Sequence, residues 1–490
     1  MSPADILARQ RRALERRRPH EALWQDCYDH VLPPATGGGA LALFDATAAD
    51  AAEQLAASLL AELAPPWSRW FGLSPAREIG SDTAEGVAAA RALEEVAETL
   101  QGHLDRSNFA LELHQAFLDL VIAGTGVLLV EEAPPGEASA LRFAAVPLRE
   151  AVLEEGPSGR LDTVFRTVRL PATAIRARWP GAVLPRAIEA EAREATAAYD
   201  DAARHPVIEA VWPDAAQGYR YAAVLDLPGA APVGLAEGRF AESPFIAFRW
   251  LKAPGETYGR GPVAKALPDI RTANKVVELV LKNASIAATG IWQAEDDGVL
   301  NPATVRLVPG AIIPKAPGSS GLTPLAAPGN FDVSQLVLDD LRARIRRALL
   351  ADRLGPVRDS AARMTATEVI ERSAETARLL GATYGRLQAE LLTPLIARCL
   401  AILRRRGEVP PVMLDGREVR LRYASPLAQV QGRADAANTL LFLQAVRGLG
   451  AEGAAQVDTA AAARWLARTL GAPAEILHPL PPSTPNAIEE

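Results

Sequence analysis

The sequence predicts an α+β protein rich in helix. Three observations point there. Helical apolar spacing dominates residues 5–123, whereas residues 141–250 hold six short apolar runs separated by Gly and Pro, so helices come first and a mostly antiparallel sheet follows. Two long helical segments, Asp269–Ala288 and Val333–Leu354, then flank a Gly- and Pro-rich excursion. Hydrophobic residues make up 49% of the 490 and charged residues 23%, which suits a chain of roughly two to four domains with buried cores.

Taken in order, Asp5–Leu32 reads as a helix through Ile6, Leu14, Leu23, Trp24, Tyr28 and Val31. Six arginines lie between Arg9 and Arg18; they suit either a solvated helix face or a contact with DNA or a partner. Pro33-Pro34 and Gly37–Gly39 end this helix. Asp45–Leu63 is the second helix, with Asp45 or Thr47 as its cap and Leu55, Leu59, Leu60 and Leu63 as its stripe. The aromatic cluster Trp67, Trp70 and Phe71 suits a core or a subunit interface. Thr83–Asp105 and Phe109–Ala123 are further helices, and Gly124-Thr125-Gly126 is a turn leading into the strand Val127–Val130. Strands are expected at Leu141–Val146, Ala151–Glu155, Leu161–Leu170, Val207–Pro213, Tyr219–Asp226 and Pro244–Trp250.

Beyond the first long helix, short strands are expected at Ile291–Gln293, Thr304–Leu307 and Ala311–Pro314. Residues 341–363 carry seven Arg and two Asp, a local +5 in a chain whose net charge is −7. Thr365–Arg406 reads as one very long helix, broken if anywhere at Gly381 and Pro394, with Thr365 and Glu368 in a capping-box pattern. Strands at Val412–Leu414 and Glu418–Tyr423, then helices at Pro426–Leu449 and Asp458–Leu470, complete the chain, and its tail from Pro479 is rich in Pro.

The composition and motifs offer little to an enzyme. A net −7 argues against a dedicated nucleic-acid coat. Two cysteines, Cys27 and Cys399, exclude a disulfide framework and suit a reducing compartment. The charged start lacks the apolar stretch of a secretory signal, and the longest apolar run, Leu120–Val130, is too short to span a bilayer, so a soluble protein made in a cytoplasm is expected, without membrane contact. No Gly-Lys dipeptide occurs, so no P-loop is present, and Gly124-x-Gly126 lacks the strand-before-helix order of a phosphate loop. H-E-x-x-H and G-x-S-x-G are absent, and the six histidines show no metal-ligand spacing; His103 and His114 read as solvated. Neither metal nor cofactor is expected, and no catalytic residue is assigned.

Three segments together carry a resemblance: Tyr258-Gly-Arg-Gly-Pro-Val-Ala-Lys-Ala-Leu-Pro-Asp-Ile-Arg-Thr-Ala-Asn-Lys275; Met364-Thr-Ala-Thr-Glu-Val-Ile-Glu-Arg372 with the run Leu379–Leu395; and Tyr423-Ala-Ser-Pro-Leu-Ala428. Leu63-Ala-Pro-Pro-Trp67, Ser107-Asn-Phe109 and Phe117–Gly126 precede them in the expected order. In that joint order the chain resembles the portal (head-to-tail connector) proteins of short-tailed, T7-like bacteriophages over nearly its whole length.

The resemblance implies a portal fold with wing, two-helix stem, clip and crown, assembled as a ring of usually twelve subunits at one capsid vertex. It implies a wing at 1–264, stem helices at 265–289 and 332–354, a clip at 290–331, a tunnel loop at 355–364, a return through the wing at 365–424 and a crown at 425–490. Double-stranded DNA would pass without sequence readout, packaged by the terminase large subunit and later ejected, with tail adaptor or nozzle, major capsid and scaffolding proteins as further partners. In the virion, Arg353, Arg358 and Arg363 would border the tunnel and touch phosphates, or pair with Asp352, Asp359 or a neighbour's carboxylates. Arg342, Arg344, Arg346, Arg347, Lys275, Glu278 and Lys282 would join subunits along the stem. Asp296, Asp297 and Lys315 would meet clip partners. The competing reading, a nuclease-type subunit of a packaging complex, requires an acidic metal cluster on strand ends, and the sequence shows none.

Overall fold

The computed structural model describes residues 1–33, 42–66, 68–75, 84–194, 203–214, 217–289, 292–294, 316–318, 320, 322–324, 331–351, 381, 383–410, 419–423, 426–448 and 457–470. Helix α1 (Pro3–Val31) opens on a reciprocal cap: the Asp5 N–H donates to Ser2 Oγ at 3.2 Å, and the Ser2 N–H donates to the Asp5 carboxylate at 3.0 Å. Helix α2 (Thr47–Leu63), strand β1 (Phe71–Pro75), helices α3 (Ala84–Asp105) and α4 (Phe109–Ala123) and strands β2 (Thr125–Glu132), β3 (Leu141–Ala145), β4 (Ala151–Glu155) and β5 (Leu161–Pro171) follow. Helices α5 (Ala172–Arg178) and α6 (Arg186–Glu194) precede β6 (Arg204–Pro213), β7 (Tyr219–Leu225), β8 (Val233–Phe240) and β9 (Phe245–Arg249). The fold is α+β, and every strand pair described is antiparallel.

Strands β4-β5-β6-β7-β8 form a five-stranded sheet. Its side chains alternate strictly: Ile208, Ala222 and Val224 meet Ile6, Leu7 and Ala13 of α1, whereas Val207, Ala223 and Leu225 meet Ile175, Trp179 and Ile188 on the other face. The arginine run of α1 is divided: Arg11, Arg12, Arg16 and Arg18 are exposed, as on a solvated face, whereas Arg9 and Arg17 turn toward the sheet. Arg17 is buried and donates to the carbonyls of Leu148, Arg149 and Ala151, at 3.1, 3.2 and 2.7 Å through Nη1. Arg9 and Arg16 both hold Glu154. The Ala151 carbonyl opens β4, which stands at the edge of its sheet with no strand beyond it among the described residues.

A second sheet, β3-β2-β9, sits at the centre of the largest core, with β2 between its two partners. Helix α4 packs on β2 and β3, α2 packs on α4 and α3 on β1, and Trp70 and Phe71 are buried in the same core, so that part of the aromatic cluster is core. His103 is also buried, correcting its solvated reading: Nδ1 accepts from the Ala140 N–H at 3.2 Å and Nε2 lies 2.6 Å from Glu408. A histidine one turn before a helix end is amphipathic enough to point either way, and the β2–β3 hairpin closes over this one.

Long helix α7 (Pro262–Thr289) leads through the short pair β10 (Trp292–Ala294) and β11 (Leu322–Pro324) to α8 (Phe331–Ala348). Helix α8 stops earlier than its sequence spacing suggests. Leu350 takes φ +57°, and the N–H of Leu350 bonds the Arg347 carbonyl at 3.2 Å, tightening the last turn while Leu349 is buried. Residues 352–380 lie outside the described residues, including the start of the expected helix at 365. Its described end holds a π-helical turn, Gln388–Leu392, running into α9 (Thr393–Arg405). Pro394 falls in the first turn of α9. It lacks the N–H that Glu390 would need four residues on, and the wider π register, with Thr393 bonded back to the Gln388 carbonyl, accommodates that loss. Strand β12 (Val419–Tyr423) pairs with β1, and helices α10 (Pro426–Gly448) and α11 (Thr459–Leu470) end the described chain.

Five elements had no sequence assignment, the three-residue strand β11 among them. Strand β8 carries Gly234, Gly238, Glu237 and Arg239, poor strand formers that its neighbour β7 nonetheless pairs. Strand β1 is five residues long, and its partner lies far along the chain. Helices α5 and α6, of 7 and 9 residues, make only about two turns each, too few for the apolar spacing to stand out.

Candidate functional site: the anchored helix pair

Helices α7 and α8 pack side by side through Leu267, Ile270 and Ala273 against Leu338, Leu341 and Ile345. An ion pair between Asp269, near the start of α7, and Arg344, near the end of α8, at 2.8 Å fixes them as antiparallel. Their base is held by a relay of polar contacts. Asn274 Oδ1 accepts the N–H groups of Phe44 at 2.7 Å and Asp45 at 3.2 Å, and its amide donates to the Ala42 carbonyl. Asp45 then takes Arg342 of α8 at 2.8 Å and the Thr47 N–H at 3.0 Å. Burial pushes the Asp45 carboxyl up, but the hydrogen bonds from Thr47 and Arg342 outweigh it and hold the group below the usual range. Arg271 pairs with Asp26 of α1, adding a third support. One short segment before α2 thus ties both long helices to the core.

The chain enters α7 through a backbone crossing. Gly124 ends α4 at φ +85°, a left-handed residue that favours glycine. Its carbonyl accepts the Trp250 N–H at 3.0 Å. The segment Gly259-Arg260-Gly261 runs directly over it: a Cβ on Gly259 would lie 2.1 Å from the Gly124 oxygen, and one on Gly261 2.6 Å from the Val121 oxygen. The Gly259 N–H donates to Thr125 Oγ1 at 2.9 Å, and Tyr258 is buried with its hydroxyl accepting the Leu153 N–H at 3.0 Å. So Gly124-x-Gly126 and Gly259-x-Gly261 are two halves of one crossing, and neither is a phosphate loop.

Beside the crossing lies Arg249, fully buried at the end of β9. Its guanidinium donates to both oxygens of Glu390 at 3.2 and 2.7 Å, to Glu155 at 3.2 Å and to the carbonyls of Thr257 and Gly159. Lys252 completes the neutralisation of Glu155. Since Glu390 belongs to the π-helical turn, this cluster pins that turn and α9 after it to the sheet that leads into α7. Farther along that helix, Arg398 lies over the Phe240 ring at 4.7 Å and donates to the Val130 carbonyl at 3.2 Å. Burial lowers its guanidinium to about 10.

A model of a protein family described as "Bacteriophage head to tail connecting protein" matches residues 4–477. The chain belongs to this family. Its relatives include the portal protein of Escherichia phage T7, 23% identical over 411 residues, spanning 80% of this chain and 73% of that protein. The probable portal protein of Bordetella phage BPP-1 is 25% identical over 425 residues, with 81% and 72% covered, and the portal protein of Salmonella phage epsilon15 is 24% identical over 419, with 79% and 71% covered. Among solved structures, the neck of a native GTA particle computed with C12 symmetry aligns over 86% of this chain and 90% of its own, at 12% identity and a TM-score of 0.38.

Within this connector-family chain, the residues singled out from the sequence fall in three groups. Arg342 and Arg344 are engaged inside one subunit, with Asp45 and Asp269. Lys275 and Lys282 both hold Glu278, at 2.9 and 2.5 Å, as their three- and four-residue spacings on one helix favour. Arg346 is half-buried and Arg347 exposed near the end of α8. The tunnel-loop candidates Arg353, Arg358 and Arg363 and the clip candidates Asp296, Asp297 and Lys315 lie outside the described residues. Asn274, Arg249 and Glu390 drew no attention in the sequence. Asn274 and Arg249 are a polar residue at a core-facing position of an apolar helix and an arginine closing an all-apolar strand, and both patterns are legible once sought.

Proposed function

We propose that this chain forms a ring-shaped channel at one vertex of a phage capsid, through which double-stranded DNA enters during packaging and leaves at ejection, and to which the tail attaches. The carrying observation is the family match, continuous from residue 4 to residue 477. In this reading residues 1–264 make the wing, 265–289 and 332–354 the stem, 290–331 the clip, 355–364 the tunnel loop, 365–424 the return through the wing and 425–490 the crown. The antiparallel pair α7 and α8, tied at its base and joined at its far end by β10 and β11, supports the stem assignment. The terminase and then tail proteins would meet the clip, with Asp296, Asp297 and Lys315 as contacts.

A conduit must let DNA slide. Each phosphate neutralised by Lys or Arg adds salt-dependent affinity, so a subunit charge of −7, repeated around a ring, keeps the channel from gripping its cargo. Arg353, Arg358 and Arg363 would supply a single level of transient phosphate contact, without base readout. The work is positional, and no catalytic group is assigned. Electron-microscope class averages and native mass spectrometry of the purified protein test the reading: rings with a central hole and about a dozen copies are expected. A chain that stays monomeric even with its scaffolding and capsid proteins added refutes it.

A further inference from the structure

Helices α7 and α8 bury Ile270 and Ala273 against Leu338, Leu341 and Ile345. At roughly 100° per residue, Leu279 lies on the face of α7 turned away from α8, and Leu336 on the face of α8 turned away from α7. Both are open: Leu279 is 49% exposed and Leu336 73%. Their heights follow from the Asp269–Arg344 pair. Leu279 lies ten residues beyond Asp269 and Leu336 eight before Arg344, about 15 and 12 Å up the hairpin at 1.5 Å per residue. Two exposed leucines therefore share one level and point in opposite directions.

Their surroundings differ in charge. Lys275 and Lys282 sit one turn to either side of Leu279 on the same stripe, and Glu278 accepts from both, which leaves one net positive charge. Asp339 and Asp340 sit one turn beyond Leu336; Gln335 donates to the first, and the second is exposed, 4.0 Å from Arg344. We propose that the outer face of α7 in one copy packs on the outer face of α8 in the next, Leu279 against Leu336, with Lys275 at the height of the two aspartates. The inference rests on the ring reading above and names the contact that closes it. A cyclic assembly needs two unlike faces per subunit, and these two match in height, apolarity and charge. Pairing like faces would set lysines on lysines or aspartates on aspartates. The contact is thus an apolar centre with an ionic rim rather than a ladder of salt bridges, since most of the charges that could build such a ladder are engaged within the subunit.

The test uses the full chain and native mass spectrometry at matched concentration. Leu279→Glu and Leu336→Glu each replace an exposed side chain, so far-UV circular dichroism and melting temperature should match wild type while rings are lost to subunit mass. An equimolar mixture of the two variants keeps one sound junction, the α7 face of L336E on the α8 face of L279E, and should give dimers without rings. A chain carrying both L279E and L336K sets Glu opposite Lys and should regain rings. Wild-type protein that forms rings, with L279E and L336E forming them in equal yield, would overturn this contact alone. Wild-type protein that forms no ring under any condition would overturn the ring reading itself.

Discussion

Gly259 offers the sharpest test of how the long helix pair is attached. In Gly259→Ala the new Cβ would stand 2.1 Å from the Gly124 carbonyl oxygen and 3.0 Å from Arg249 Cβ, where real Cβ atoms essentially never approach within 3.0 Å. The two chains must part by about 0.9 Å, the difference between those distances, and both obstacles are parts of the packed crossing rather than flexible tips. Overpacking of this kind costs about 1–3 kcal/mol. Parting the chains also stretches the 3.0 Å bond from the Trp250 N–H to the Gly124 oxygen and the 2.9 Å bond from the Gly259 N–H to Thr125, and a buried group left unpaired costs about 1–3 kcal/mol. The expected loss is therefore about 2–6 kcal/mol. Gly72→Ala is the control, because nothing lies within 4 Å of its added Cβ; it should stay within about 0.5 kcal/mol of wild type. Urea unfolding, with midpoint and slope compared across the three proteins, measures both. A G259A protein within about 1 kcal/mol of G72A would refute the crossing as the anchor of α7.

Three further outcomes follow from the same geometry. Arg249→Met leaves Glu390 and two carbonyls without their buried donor and should cost about 3–5 kcal/mol by denaturant unfolding, while Arg249→Lys, which keeps the charge but not the fork, should fall between it and wild type. Burial pushes the Asp119 carboxyl up to about 6, against the pull of the Tyr28 hydroxyl and the Leu148 N–H. The folded chain then keeps a proton that the unfolded chain releases above its ordinary range of about 4, so stability falls as pH rises from about 4 to 6, by about 3 kcal/mol in all; Asp119→Asn should flatten that slope in melting curves taken across the window. Asp45→Asn and Arg342→Met, each alone and together, should show a coupling of about 1–3 kcal/mol in a double-mutant cycle, and a value near zero would remove Asp45 from the relay.

Much of the fold was legible because its periodicities are long and clean. Phe109–Ala123 and Ala151–Glu155 fall where apolar spacing puts them, and the alternation of β6 and β7 follows the two-residue period of a sheet buried on both faces. The arginine run of α1 was legible only in part: Arg11, Arg12, Arg16 and Arg18 are exposed, but the inward turn of Arg9 and Arg17 was hidden for a physical reason. Their partners, Glu154 and the carbonyls at 148–151, lie more than 130 residues away, and nothing local tells a solvated guanidinium from one that closes a strand edge. The same distance hid the meaning of Gly259 and Gly261. A glycine needed for close approach looks like any turn glycine until its obstacle, here the chain at 121–124, is folded against it. The family resemblance rested on those very residues, so the motif was visible before its cause was.

The polar relay at the base of α7 and α8 gives the pair the mechanics of a cantilever. Its supports, Asn274 with the 42–45 segment, Asp45 with Arg342, and Arg271 with Asp26, all lie at one end, while Leu279 and Leu336 stand well out along the free span. A sideways load on that span is magnified by leverage at its supports, where a few hydrogen bonds and ion pairs act together with the burial of Leu267, Ile270, Leu338 and Leu341 in the core. Salt screens the partly exposed Arg271–Asp26 pair more than the buried Asp45 with Arg342. Ionic strength should therefore loosen the support on α1 first, leaving the relay through Asn274 and Asp45 in place.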